Sequence, residues 1–401
     1  MTIASAQSSG ATRYWVVFGA CLTQFTIIGL LISYGLFFAE FEREYGWSRT
    51  ALSASTSVAF FLMGVFAIAI GRLNDRFGPR LVLGISGTLY GIGYALLSQV
   101  TEIWHLFILF GLCIGSGMAA HDVVTLSTVA RWFPNRRGVM SGIVKTGTAV
   151  GQVSVPPLAA VLLTQYGWQT ALVILGTAAT GLMVIASACM SDPPKAKGQG
   201  QRADVDGLTM AQARRLPTLW LMCLIQFLVF PTLMTIPLHI VVHAIDLGST
   251  PAVAALLLST MGASSVVGRL CSGFAVDRIG GKGGIAVCLV PLVIALVSLM
   301  GVSQVSLLFP VMAIYGFGHG GFFTVVNPTA ANYFGVKALG SIFGLIVFFG
   351  TLSGSIGPIV AGWIFDVTAS YFYAFGILAA GATLSLLLLL LLPKPGQLAA
   401  R

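Results

Sequence analysis

The chain has 401 residues, of which 57% are apolar and 8% charged, with a formal net charge of +9. A soluble domain carries about 25% charged residues, so this chain cannot clothe itself in a water-compatible surface, and a soluble enzyme is excluded. The positive charge does not read as a nucleic-acid patch either, because it is spread over short loops between long apolar runs.

Those runs have the length of about 20 residues that a helix needs to cross hydrocarbon. In chain order they fall near 14–38, 51–71, 81–99, 104–127, 138–163, 169–190, 218–243, 252–273, 284–303, 306–330, 339–364 and 370–392. The first is too long for a signal peptide and is expected to stay as the first helix. With both termini on one side, that side holds 17 of the 21 Lys and Arg, and the opposite side keeps Arg43 and Arg49. By the positive-inside bias, both termini are cytoplasmic. Gly is abundant at 48, as expected where helices pack closely in lipid. The six Cys fall within spans without metal-ligand spacing, so they imply no disulfide, metal or cofactor.

A polar stretch over 191–217 separates six spans from six, giving an N-terminal bundle over 1–190 and a C-terminal bundle over 218–401. The end of this linker, 207–217, reads as a short amphipathic helix at the interface. The halves repeat each other. Gly71-Arg-Leu-Asn-Asp75-Arg76-Phe-Gly78-Pro-Arg80 returns 202 positions later as Gly273-Phe-Ala-Val-Asp277-Arg278-Ile-Gly280-Gly-Lys282. Gln24-Phe25 returns as Gln226-Phe227, and Gly142 and Pro156 as Gly344 and Pro358, at the same offset. Trp132-Phe133 and Tyr333-Phe334 keep it within one residue. The reading is an all-α membrane protein whose twelve transmembrane helices form two pseudo-symmetric six-helix bundles, as in transporters built from parallel repeats.

The doubled phrase resembles the signature of the major facilitator superfamily, which lies between helices 2 and 3 and again between helices 8 and 9. Arg131-Trp-Phe-Pro-Asn-Arg136-Arg137-Gly-Val-Met-Ser-Gly142 is similar to the segment entering helix 5 in monocarboxylate transporters and bacterial oxalate/formate-type exchangers. The Arg-Arg-Leu-Pro segment before Leu219-Trp220 resembles the same group. The resemblance implies a multi-pass protein of the bacterial inner membrane. It also implies a carrier, not an enzyme, with a small monocarboxylate and a proton as partners besides the bilayer. In the doubled phrase, Asp75 and Asp277 can cap a neighbouring helix or pair with Arg76, Arg278 or residues across the bundle. The resemblance implies that these residues, with Arg80 and Lys282, latch the cytoplasmic side closed; the plainer reading is charge that sets topology.

Three charges lie inside spans: Asp122 in span 4, Lys145 in span 5 and Arg269 in span 8. A charge at mid-membrane costs about 2.5–3.5 kcal/mol on insertion scales, so each is expected to face a cavity or a partner. At 1.5 Å per residue, each stands about 12–14 Å above the inner face. Arg269 has no copy in the first half, where the repeat places Ala67. Its guanidinium fork suits a carboxylate. It also matches the substrate-binding arginine that the resemblance puts on helix 8. The exchangers' helix-11 lysine falls at Gly350 and the animal transporters' helix-1 lysine at Ile32. Their helix-8 aspartate falls at Ser265. One arginine without those partners favours a monoanion such as lactate or pyruvate, and puts the family's own proton-coupling scheme in question.

Asp122 and Lys145 lie at similar depth on consecutive spans and are expected to pair, either as a static ion pair or as a proton-responsive switch that a substrate anion disturbs. His121 sits about 100° around the helix from Asp122 and offers a proton or substrate contact, or packing. Phe322 and Phe323 are candidate cavity walls. Asn327, beside Pro328, is a candidate contact whose plainer role is to relieve a helix break. His239, His243 and His319 read as packing or an outer vestibule. The alternatives to proton-coupled uptake are carboxylate exchange and, less favoured, a ligand sensor that moves nothing.

Overall fold

The computed structural model describes residues 3–47, 49–193, 207–249 and 251–393. Its helices are α1 (Ile3–Tyr45), α2 (Arg49–Phe77), α3 (Pro79–Leu96) and α4 (Ile103–Trp132), which includes a π-helical stretch over Leu109–Ile114. Two helices follow, joined at the non-helical Gly167: α5 runs over 137–166 and α6 over 168–189. After the linker come α7 (Pro217–Asp246) and a second such pair, α8 (251–279) and α9 (281–301), joined at the non-helical Gly280. The last three are α10 (Val305–Phe334), α11 (Leu339–Thr368) and α12 (Phe372–Leu388). Among the described residues, 10 helices are long and apolar enough to cross a membrane. Two of them are the bent pairs, so the twelve spans read from the sequence are all present. Helix is the only option for an open chain in hydrocarbon, where every backbone N–H and C=O must be satisfied within its own segment.

The linker is less helical than its sequence suggests. Residues 194–206 lie outside the described residues, and 207–217 contributes a single turn, Met210–Ala213. Pro217 then opens α7, a first-turn position that suits a residue without an N–H.

The helices gather into two compact units. Unit 1 comprises Met1–Pro134, Ile143–Met210 and Gly335–Leu345. Unit 2 comprises Asn135–Gly142, Ala211–Phe334 and Ile346–Arg401. Each unit therefore takes in the first turns of one helix from the other half of the sequence.

The repeated phrase is repeated in three dimensions as well. Gly78 (φ 82°, ψ 166°) and Gly280 (φ 78°, ψ 171°) adopt the same left-handed backbone, which a side chain would strain. In unit 1 the Asp75 carboxylate accepts hydrogen bonds from Gly340 N (3.2 Å) and Ser341 N (2.9 Å), at the start of α11. In unit 2 Asp277 accepts from Gly138 N (2.8 Å) and Val139 N (2.9 Å), at the start of α5. A carboxylate on the orphan donors of a helix N-terminus is a cap reinforced by the helix dipole. At the opposite helix pole, Arg80 donates to Ala188 O (2.8 Å) and Met190 O (3.3 Å). Lys282 does the same to Leu390 O (3.1 Å) and Leu392 O (3.3 Å). Every one of these partners is displaced by 202 residues from its counterpart.

Candidate functional site

Each unit carries buried polar side chains within its apolar helices, and the two sets are built differently. In unit 1, α1, α4 and α5 meet at Gln24, Asp122 and Lys145, which are 0%, 9% and 3% exposed. The Lys145 ammonium donates to Asp122 Oδ1. Gln24 Nε2 donates to the same oxygen (2.9 Å) and to His121 O (3.0 Å). Gln24 Oε1 in turn accepts from Thr148 (2.9 Å) and from Lys145 (3.5 Å). The carboxamide thus spans the ion pair with one end on the anion and the other on the cation. Removing two ions from water costs several kcal/mol each, and such a pair survives only when further hydrogen bonds satisfy it. Gln24 and Thr148 supply those bonds. Gln24 entered the sequence reading only as a marker of the repeat; its polar identity inside an apolar run was the available signal.

His121 lies closer to Asp122 than adjacent helix positions suggest. Its Nδ1 contacts Met118 O and its Nε2 is 3.4 Å from Asp122 Oδ1. The ring folds back along α4 towards the preceding turn, as helical side chains do. Both neighbours are acceptors, whereas a neutral imidazole has one N–H. A protonated ring would donate to both.

In unit 2, Arg269 on α8 is 3% exposed. His319 on α10 lies in the same unit. The His319 ring stands 5.2 Å from that of Phe323, and Phe323 meets Phe230 of α7 edge-on at 5.6 Å. Phe323 is half-buried in this row of rings, while its neighbour Phe322 is 1% exposed and points into the helix packing. Asn327 follows His319 and Phe323 at helical spacing, placing the three on one face of α10. It is fully buried, and neither its Oδ1 nor its Nδ2 has a hydrogen-bond partner among the described residues. It therefore does not relieve the break expected at Pro328, and α10 runs on to Phe334. On α11, Gly350 packs against the Gln226 amide and the Phe230 ring.

The remaining candidates are placed away from these layers. Arg76 and Arg278 are exposed and stack on Phe77 and Phe274, with guanidinium-to-ring distances of 5.1 and 4.9 Å. Asp75 is instead 3.6 Å from Arg131. His239 bridges the Tyr371 hydroxyl and Pro358 O, each at 3.1 Å. His243 packs on Tyr371 and Phe375. Both histidines thus tie α7 to α12, and His239 also reaches α11.

A multi-pass helical protein with twelve spans in two repeated bundles, and with charges held inside those bundles, has the construction of a secondary transporter. The sequence profile of the Major Facilitator Superfamily matches residues 16–246 and 234–401, and the chain belongs to that family. It is a membrane transporter and not an enzyme. Monocarboxylate transporter 13 of Rattus norvegicus is 29% identical over 387 residues, covering 92% of this chain and 86% of the rat protein. The MFS-type transporter YhjX of Escherichia coli is 26% identical over 355 residues, covering 86% of each. Among solved structures, the E. coli fucose:proton symporter FucP superposes with a TM-score of 0.75 at 14% identity, over 94% of this chain and 98% of that one. That likeness concerns the fold.

Proposed function

We propose that this transporter carries small monocarboxylates of the lactate and pyruvate type, together with protons, by alternating access. Its setting is a bacterial inner membrane with both termini cytoplasmic. The observation that carries the reading is Arg269: a permanently charged guanidinium, buried to 3% within an apolar span, with no equivalent in the other copy. Its fork pairs bidentately with one carboxylate. Relatives named as monocarboxylate transporters support the substrate class. Phe323 and Asn327 border the substrate, with Phe322 setting the packing behind them. Asp122, Lys145 and His121 form the proton-responsive cluster. His121 is its proton acceptor, since both of its ring nitrogens face acceptors. Asp75 and Asp277, with Arg76, Arg80, Arg278 and Lys282 around them, form the gate, whose helix caps open and close as access alternates.

The test is uptake of labelled lactate into proteoliposomes under an imposed pH gradient. An inward proton gradient accelerates uptake, and R269A lowers it by roughly 100-fold. Uptake indifferent to the gradient removes proton symport, and full uptake by R269A removes the site. The second reading, carboxylate exchange, is favoured by the way Gln24 and Thr148 already satisfy the Asp122–Lys145 pair, as a static element would be satisfied. Exchange requires an anion loaded on the inside; symport does not.

A further inference from the structure

The hydrogen bonds that support the Asp122–Lys145 pair run through one neutral side chain. Gln24 of α1 is fully buried. Its Nε2 donates to Asp122 Oδ1 (2.9 Å) and to His121 O (3.0 Å), with Thr125 Oγ1 at 3.4 Å. Its Oε1 accepts from Thr148 (2.9 Å) and Lys145 (3.5 Å). A carboxamide has donors at one end and an acceptor at the other. This orientation therefore fits a pair that is charged, with donors turned to the carboxylate and the acceptor to the ammonium. The same oxygen, Asp122 Oδ1, receives the Lys145 ammonium, the Gln24 amide and, at 3.4 Å, the His121 ring. Whatever Gln24 does to that oxygen is felt by His121. The other titratable groups nearby are Cys21 of α1 and Tyr90 of α3, which spend their hydrogens on Ile143 O (3.6 Å) and Ile27 O (2.6 Å). The second copy keeps the amide and drops the charges. Gln226 stands at the register of Gln24, but Phe323, Val347 and Gly350 stand at those of Asp122, Lys145 and Thr148. Gln226 Oε1 has no donor among the described residues.

We infer that Gln24 is the positioning residue of the proton-responsive cluster: it holds the Asp122 carboxylate charged between Lys145 and His121, and so sets the pH at which uptake responds. This rests on the assignment of Asp122, Lys145 and His121 to the proton response. A hydrogen bond donated to a carboxylate favours its charged form. Without the amide N–H, Oδ1 turns more fully to its remaining donors. The cluster then keeps a proton to higher pH, whether that proton sits on the His121 ring or on the carboxylate itself.

The experiment measures initial lactate uptake by the full chain in proteoliposomes, across the range in which histidine titrates, for wild type, Q24M and Q24E. Methionine keeps the length of the side chain and neither donates to Asp122 nor accepts from Lys145 as the amide does. Q24M is expected to raise the pH of half-maximal uptake by about one unit, the worth of a hydrogen bond to a charged group. Q24E keeps the acceptor for Lys145 and turns a second carboxylate towards Asp122. Two such groups share a proton, so its midpoint rises further than that of Q24M. Uptake lowered in both variants at an unchanged midpoint overturns the inference and leaves Gln24 as packing. If neither variant transports, the melting temperature in detergent is followed against pH. Its inflection must move up in the same order, and an inflection that stays in place overturns the inference equally. Wild-type uptake indifferent to pH sinks the proton-responsive cluster itself, whereas a wild type that responds and variants that keep its midpoint sink the role of Gln24 alone.

Discussion

In unit 1 the mid-membrane polar groups bond one another: Lys145 and Asp122 pair, and Gln24, His121 and Thr148 close the network around them. In unit 2 the equivalent layer holds Gln226 and Asn327 with amide atoms that no described residue bonds, beside a buried guanidinium and three aromatic rings. The same six-helix plan thus supports a polar cluster complete in itself and one whose hydrogen-bonding capacity exceeds what its own residues use. Under the proposed function, the first responds to a change in charge balance and the second receives the substrate. At the helix ends the copies share their backbone contacts: the caps of Asp75 and Asp277, the carbonyls bonded by Arg80 and Lys282, and Trp132 to Ser191 O (2.6 Å) with Tyr333 to Pro393 O (2.8 Å). Divergence falls at the residues proposed to meet substrate and proton.

The largest expected effect comes from breaking the complete cluster. K145A leaves the Asp122 carboxylate buried without its cation, which costs about 3–5 kcal/mol. The variant should melt far below wild type in detergent. The double variant D122L/K145L removes both charges and should recover most of that loss. Transport by the double variant then decides the role of the pair. Uptake that still follows a pH gradient makes it structural, whereas uptake that ignores the gradient makes it the coupling element.

Next in size is R269A, which removes one charge-assisted contact, worth about 1.5–3 kcal/mol. Lactate uptake should fall by roughly 100-fold, with R269K intermediate because an ammonium cannot reproduce the fork. A loss confined to uptake, without the broad destabilisation of K145A, is what the contrast between the units requires. H121A is the sharper probe of unit 1, because it leaves the ion pair in place. It should keep lactate movement between lactate-loaded compartments while abolishing acceleration by a proton gradient.

The sequence carried the architecture because hydrocarbon permits so few solutions: a run of about 20 apolar residues has to be a helix. It carried Asp122, Lys145 and Arg269 for a related reason, since a charge in such a run is conspicuous. Neutral polar residues were harder to weigh. Gln24 and Gln226 resemble the Thr and Ser residues that bond their own helix, as Thr23 does to Gly19 O at 2.8 Å. Only the fold distinguishes an amide bridging an ion pair from one facing a glycine. Side-chain direction was likewise out of reach: His121 and Asp122 point apart by helical angle, and the ring folds back to 3.4 Å from the carboxylate. The bends at Gly167 and Gly280 show the limit in the other direction, because a single left-handed residue turns one helix into the next with almost no loop to read.

The smallest effects test the region where the copies agree. D277N keeps the shape of the side chain but removes its charge from the N-terminus of α5, and one oxygen that accepted a backbone N–H becomes a donor. A cap of this kind is worth about 1 kcal/mol, and the melting temperature should drop by a few degrees. Asp75 caps α11 in the same way, but it also accepts from the Ser341 hydroxyl (2.8 Å) and stands 3.6 Å from Arg131. D75N should therefore cost more than D277N, and S341A should narrow the difference between them. Equal losses would show that the extra contacts around Asp75 contribute nothing. A larger loss for D277N would show that the two caps, matched in geometry, do not carry matched loads. If the caps are gate elements and not merely helix ends, each variant should also shift the rate of lactate exchange at a temperature where both proteins remain folded. An ordinary cap would move the melting point and leave that rate unchanged.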